Sequence, residues 1–239
     1  MLAAAPSVQL RVAGVSFEGR QEAVAALGAG DSLLLEREPL NPHDANAVHV
    51  ATLNGQSIGY VPRDWTGLFR QPVALGFVSS AGQNEKGLHG CSIVAKPDLP
   101  PLTVDLTANS FGSARGSLPA PALAQLEAAA RERSGGACSI CGAEDLDEAL
   151  DELYQPLEEE STGERTYRFV ELRCLCRACR AVRGLRPGGA LGPAGRAHLM
   201  ATNRWTRPDV DAYLALAGAR HEQRSRSAFS MDFSAANAV

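Results

Sequence analysis

Apolar and polar positions alternate with a period of two over the first hundred residues, and the period lengthens afterwards. Val8, Leu10 and Val12 alternate with Gln9 and Arg11, the pattern of a half-buried strand. Leu33-Leu34-Leu35 is a short buried run. Val48 and Val50 alternate with His49 and Ala51, and Ile58 and Tyr60 resume the pattern after Asn54-Gly55. Asn-Gly suits a type I′ turn, in which both central residues need positive φ, so Ala47 to Val61 is expected to form a hairpin. Pro62-Arg63-Asp64-Trp65 opens a short helix with Leu68 and Phe69 on its inner side, and a last strand is expected from Ser92 to Ala95, ended by Pro97. Short strands separated by turn signals predict a small barrel.

Residues 106–121 are Gly-, Ser-, Ala- and Pro-containing with little periodicity, as in a linker. A helix is expected from Pro121 to Arg133, with Leu123, Leu126 and Ala130 on one face and Gly135-Gly136 as its stop. Two more helices are expected near 193–202 and 207–224, the second opened by a capping box of Thr206 and Asp209. From Ser227 onward the chain is expected to fray in part. The reading is an α+β protein divided into a barrel over 1–105, a linker over 106–120 and a second domain over 121–239.

Composition narrows the class. Hydrophobic residues make up 45% of the 239, enough for packed cores, and no run of 18 apolar residues could span a membrane. The start, Met1-Leu2-Ala3-Ala4-Ala5-Pro6, lacks the basic region and long apolar stretch of a signal peptide, so a cytoplasmic location is expected. Thiols stay reduced there, and six cysteines then suggest metal before disulfides. Lysine is confined to Lys86 and Lys96 while Arg, Ala and Gly abound, a bias of GC-rich bacterial genomes. The net charge of −4 divides into −3 over 1–110, −4 over 111–185 and +3 over 186–239. No region is broadly basic, so any nucleic-acid contact must be local.

The strongest chemical signal is a pair of C-x2-C knuckles, Cys138/Cys141 and Cys176/Cys179, with 34 residues between them. Each knuckle places two thiolates on one turn, and two knuckles close a tetrahedral site with no open position. The expected cofactor is a structural Zn2+ held by Cys138, Cys141, Cys176 and Cys179. Cys91 and Cys174 are left over and suit buried packing.

Three blocks in the first half appear in order: Val12-Ala13-Gly14-Val15-Ser16-Phe17-Glu18-Gly19, Glu38-Pro39-Leu40-Asn41-Pro42-His43-Asp44-Ala45-Asn46-Ala47-Val48, and Ile58-Gly59-Tyr60-Val61-Pro62-Arg63. Together they resemble a HIRAN domain. The resemblance implies an OB-like β-barrel over about 7–105 that captures single-stranded DNA at its 3′ end. On the matching positions it implies a pocket of Phe17, Asn41, His43 and Asp44, joined by Tyr60 and Arg63. The chemistry of the residues agrees. Asp44 can accept from a terminal 3′-hydroxyl and repel a 3′-phosphate, Asn41 offers donors and an acceptor, and Phe17 offers a stacking face. Arg63 can meet a backbone phosphate. Asn-Pro-x-Asp also makes a good turn without any ligand.

The second half, about 121–235, resembles an HNH endonuclease domain. Leu126 to Gly142 looks like its entry, Leu172 to Cys179 like its second knuckle, and His198-Leu199-Met200 with Asn203-Arg204-Trp205 like a helical extension. The resemblance implies a zinc-bound treble-clef or ββα-like finger. An HNH nuclease needs a histidine to activate water and further side chains to hold a divalent ion. No histidine lies between His89 and His198, Leu150 to Gln155 contains none, and Arg180 and Gly184 stand where the family has histidines. No catalytic residue is therefore expected, with rescue by Glu152 or Tyr154 as the alternative. Arg173, Arg177, Arg180, Arg183 and Arg186 crowd the second knuckle and offer a phosphate-binding patch, with Arg177 and Arg180 as the DNA-contacting pair. Eleven acidic residues between Glu144 and Glu171 offer those arginines internal partners instead.

The expected function is a non-enzymatic DNA-binding protein of repair or replication that recognises single strands or 3′ ends. The alternatives are an active metal-dependent HNH-type endonuclease and a zinc-stabilised scaffold for a protein partner.

Overall fold

The structure, a computed structural model, describes residues 7–17, 19–104, 113–158, 165–186, 189–226 and 229–238. Glu18, most of the first half of the expected linker, Glu159-Glu160 and Pro187-Gly188 lie outside the described residues. The chain forms two compact units, one of Met1–Pro101 with Asn203–Leu216 and one of Leu102–Thr202 with Ala217–Val239.

The first unit is a curled antiparallel sheet with two short helices. Its elements are β1 (Val8–Arg11), α1 (Arg20–Ala25), β2 (Ser32–Arg37), β3 (Val48–Thr52), β4 (Ser57–Tyr60), α2 (Arg63–Thr66), β5 (Val73–Gln83) and β6 (His89–Lys96). The sheet runs β1-β6-β5-β2-β3-β4. It curls far enough for its two edges to meet: the Ala13 amide donates to Tyr60 O at 2.8 Å and the Tyr60 amide to Ala13 O at 2.9 Å. Curling removes the exposed edges that flat sheets leave. Alternate side chains from every strand fill the inside, among them Leu10, Leu33, Leu35, Val48, Val50, Ile58 and Ile93, with Val24 of α1 closing one end. Each such side chain contributes roughly 1.5–3 kcal/mol of burial.

The seam depends on a glycine. Gly59 has φ +148°, and a Cβ there would lie 2.3 Å from Ala13 O and 2.6 Å from Val12 Cγ1. Gly59→Ala should therefore lower stability by about 3 kcal/mol or more, read as a fall in the denaturation midpoint. A loss below about 1 kcal/mol would mean the edges can part without penalty.

Three features differ from the sequence reading of this unit. β5 is an 11-residue central strand that the apolar pattern did not reveal. The β3–β4 hairpin is present, but its loop is longer than the two-residue turn expected. Asn54 keeps a negative φ while Gly55 has φ +85°, and the Thr52 hydroxyl accepts from the Gln56 amide at 3.0 Å, which stabilises the wider turn. On the turn after α2, Phe69 is buried, but Leu68 is exposed. Residues 203–216 complete the unit: Trp205 packs on Tyr213 with ring centroids 4.9 Å apart, and Leu216 lies where a Cβ on Gly55 would be, at 2.8 Å.

The second unit contains α3 (Ala114–Ser117), α4 (Ala120–Ser134), β7 (Asp151–Glu158), β8 (Arg165–Arg173), α5 (Arg177–Arg183), α6 (Pro193–Asn203), the later part of α7 (Arg207–Ser225), and β9 (Phe229–Asp232), followed by a 3-10 turn over Ser234–Ala238. β7 and β8 form an antiparallel hairpin, and β9 adds to β8 in parallel. Leu126 and Ala130 of α4 pack on Leu150, Phe169 and Leu172 of the hairpin region, together with Ala236. α4 stops at Gly135, whose φ of 55° is left-handed, the residue glycine fills at least cost. The capping box of α7 is formed, with Asp209 Oδ2 accepting from the Thr206 amide at 2.8 Å.

The tail does not fray where it is described. β9 pairs with β8, Phe229 packs on Tyr167 with centroids 5.3 Å apart, and Phe233 on Phe169 at 6.1 Å. A parallel strand added from a distant segment carries no turn signal, so local sequence does not announce it.

Candidate nucleic-acid interface and metal centre

The loop from β2 to β3 is a pair of side-chain-capped turns. Asn41 Oδ1 accepts from the His43 amide at 3.0 Å and the Asp44 amide at 3.2 Å. Asp44 Oδ1 accepts from the Asn46 amide at 2.9 Å. These bonds use the turn chemistry of Asn and Asp, and they fix the side chains instead of leaving them mobile. Asp44 Oδ2 accepts from Arg63 Nε at 3.0 Å, and the Arg63 side chain is 77% exposed. The Asn46 amide and then Arg63 hold the Asp44 carboxyl below its ordinary range, so it stays ionised at neutral pH.

Glu38, which sequence reasoning did not single out, links this loop to an aromatic cluster. Its Oε2 accepts from Asn41 Nδ2 at 2.8 Å and from the Tyr60 hydroxyl at 3.1 Å, while Oε1 lies 3.8 Å from His49 Nδ1. Burial, and then the Glu38 charge, push the Tyr60 phenol up, so Tyr60 remains a neutral donor. Arg20, also unforeseen, lies over the Tyr60 ring at 5.2 Å and over the Phe17 ring at 5.7 Å. Its Nη1 donates to Gly14 O at 2.9 Å. Gln21 Nε2 ties the same turn to β6 through Val15 O at 2.7 Å and His89 O at 3.0 Å. Phe17 is 68% exposed, the most exposed of the large apolar side chains among the described residues.

The structure thus brings Phe17, Tyr60, Asn41, Asp44 and Arg63 onto one chain of contacts that runs through Arg20 and Glu38. His43 is exposed on the same loop, and its backbone amide is bound to Asn41. The signal for Arg20 and Glu38 was weak: one lone cation opening a helix, and one acid next to a proline.

In the second unit, the Sγ atoms of Cys138, Cys141, Cys176 and Cys179 all lie within 4.8 Å of one another. All six cysteines of the chain are free thiols. The first knuckle is a turn closed by the Gly142 amide on Cys138 O at 2.9 Å, and the second opens α5, where the Cys179 amide donates to Cys176 Sγ at 3.4 Å. The two are joined by the Ser139 amide on Cys174 O at 2.9 Å and by the Asp147 amide on Leu175 O at 2.8 Å. Cys141 and Cys176 sulfurs are 3.6 Å apart, near the ~3.8 Å edge of a tetrahedron with 2.3 Å metal–sulfur bonds. Four sulfur donors at this spacing fit a thiophilic ion. Without metal, a hydrogen bond from Cys179 lowers the Cys138 thiol to about 4, while burial raises Cys141 to about 11 and the Cys138 partner raises Cys179. Cys174 is buried beside the cluster with its thiol on Ala130 O at 3.7 Å. Cys91 is in the barrel core, its thiol pushed up to about 11 by burial.

The arginines near the second knuckle separate into two kinds. Arg173 and Arg183 are each 4% exposed and converge on Asp151 Oδ2 at 3.1 and 2.8 Å. Burial, then the Arg183 charge, hold the Arg173 guanidinium below its usual range. Arg180 Nη1 donates to Ala149 O at 2.7 Å, with Asp147 at 3.8 Å from its Nε. Arg177 and Arg186 are exposed. Glu152 Oε2 accepts from the Ala114 amide at 2.9 Å and from the Tyr154 hydroxyl, so both side chains hold the start of α3.

No helix among the described residues is long and apolar enough to cross a membrane. No curated protein matches the chain. Among solved structures it is similar to the HIRAN domain of human HLTF, at 21% identity over 37% of this chain and 74% of that one, with a TM-score of 0.28. It is similar to a protein from Lactobacillus plantarum at 24% identity over 38% of this chain and 99% of that one, with a TM-score of 0.29. The HIRAN domain family matches residues 6–85, the stretch that holds the curled sheet through β5 and all of the contacts from Phe17 to Arg63, and this N-terminal region is a HIRAN domain.

Proposed function

We propose that the protein binds single-stranded DNA at its 3′ end through the HIRAN domain, in the service of repair or replication. The observation that carries this reading is the contact chain from Phe17 to Arg63. It links an exposed ring in the turn after β1, an ionised carboxylate in the β2–β3 loop and an exposed guanidinium on α2. Phe17 stacks the terminal base, Asp44 accepts from the 3′-hydroxyl and Arg63 meets the adjacent phosphate. Asn41 keeps one amide hydrogen beyond the one on Glu38 for the same sugar.

The second unit is a structural zinc finger of HNH descent without nuclease activity. Its order of knuckle, hairpin and helix supports that descent, and four thiolates leave no coordination position for a substrate. Glu152 and Tyr154 are committed to Ala114, which leaves them poor substitutes for a catalytic base. Arg177 is the knuckle arginine best able to add a phosphate contact, since Arg180 is held by Ala149 and Asp147.

Fluorescence anisotropy of the full chain with short single strands tests the end reading at fixed salt. A free 3′-hydroxyl should bind roughly tenfold or more tightly than a 3′-phosphate. Asp44→Asn keeps the turn-capping oxygen, removes the charge and should erase the preference. Equal binding of both ends would refute end capture.

A further inference from the structure

We infer that His198 serves the metal centre from outside its coordination shell, donating its Nε2–H to the Cys179 thiolate. The inference rests on reading the four cysteines as a metal site. His198 Nε2 lies 3.2 Å from Cys179 Sγ. The group of mutually close ligand atoms comprises the four sulfurs and does not include His198, so the imidazole touches one thiolate without joining the tetrahedron. Its place is fixed by α6, where the next residue, Leu199, is fully buried.

The two thiolates of the second knuckle are provided for differently. Cys176 Sγ accepts from the Cys179 amide. Cys179 lies within α5, where the amides that follow it are taken up by the helix itself. Among the described residues, the donor that reaches Cys179 Sγ from outside the cysteine cluster is His198. Four thiolates on a divalent ion carry a net charge of about −2, and the thiolate with no donor keeps the most charge on sulfur. It is the first to be protonated or attacked by an electrophile, and its loss opens the site. A histidine N–H on Cys179 removes that weak point, as outer-shell partners do in other metal centres.

The test uses the full chain loaded with zinc, its metal content measured first. Zinc transfer to an excess of a chelating dye is timed for the parent protein, His198→Ala and His198→Gln. Mass spectrometry then identifies the first cysteine modified by N-ethylmaleimide. His198→Ala should release zinc roughly 10–100-fold faster, with Cys179 modified first, and His198→Gln, which retains an N–H donor, should recover much of the loss. If His198→Ala does not fold, His198→Phe keeps the ring and removes the donor. Unchanged release and an unchanged order of modification would overturn the inference while leaving the metal site intact. A cobalt-loaded spectrum with nitrogen among the ligands, lost in His198→Ala, would also overturn it, because the histidine would then be a ligand. A parent protein that holds no zinc would refute the metal reading itself.

Discussion

Removing the metal should unfold the knuckle region of the second unit. Residues 138–147 and 174–183 are joined by a few backbone bonds, such as Ser139 to Cys174 and Asp147 to Leu175. Beyond Ile140, Leu175, Val182 and Arg183, what they bury is cysteine: Cys138, Cys174, Cys176 and Cys179. A structural zinc site of this type is worth on the order of 10 kcal/mol in apparent free energy, comparable with the whole stability of a small domain. Hydrogen exchange with and without a strong chelator should show protection vanishing in both segments and weakening along β8, whose last residue is three before Cys176. Amides of β2 and β6, paired within a separate core, should keep theirs. If protection at Ser139 and Asp147 survives chelation, the thiols are packed for shape and the metal is dispensable.

Asp151→Asn should cost about 3–5 kcal/mol, the second largest loss expected of a defined change. Asp151 is the one carboxylate within ion-pair distance of both Arg173 and Arg183 among the described residues, and both guanidiniums are nearly sealed from water. Two buried cations share this anion. Neutralising it takes an ion pair from both guanidiniums at once, and the Thr103 hydroxyl, 3.1 Å from Arg183 Nη1, carries no charge to replace it. Urea denaturation gives the size of the loss. Adding Arg173→Met should return some of the stability by removing one of the stranded charges. A loss under about 1 kcal/mol would show that water reaches the pair.

How much of this was legible in the sequence varies with the range of the interaction. Knuckle spacing, the Gly135 stop and the Thr206–Asp209 cap are local devices, and the structure has all three. β5 was not visible because its apolar residues are interrupted by small ones. At Gly76 a Cβ would lie 2.6 Å from Leu35 Cδ1, so the strand is packed too closely there for a side chain to mark the pattern. Glu38 and Arg20 gain their importance from partners on other elements, which no window of the chain contains. The arginine crowd shows the same limit, with one clue that was available. Arg183 follows Cys179 by four positions, so a helix places it on the same face as a buried cysteine. Counting it with the exposed Arg177 merged a packing residue with a surface one.

The membership of residues 203–216 in the first unit bears on the order in which the protein can be finished during synthesis. The curled sheet has all its strands once Lys96 is made, yet Trp205, Tyr213 and Leu216 belong to the same compact unit. At ordinary translation rates the ribosome needs on the order of ten seconds to supply them. During that interval the nascent sheet must hold itself together without its last helix, while the cysteine knuckles emerge and become able to take up metal.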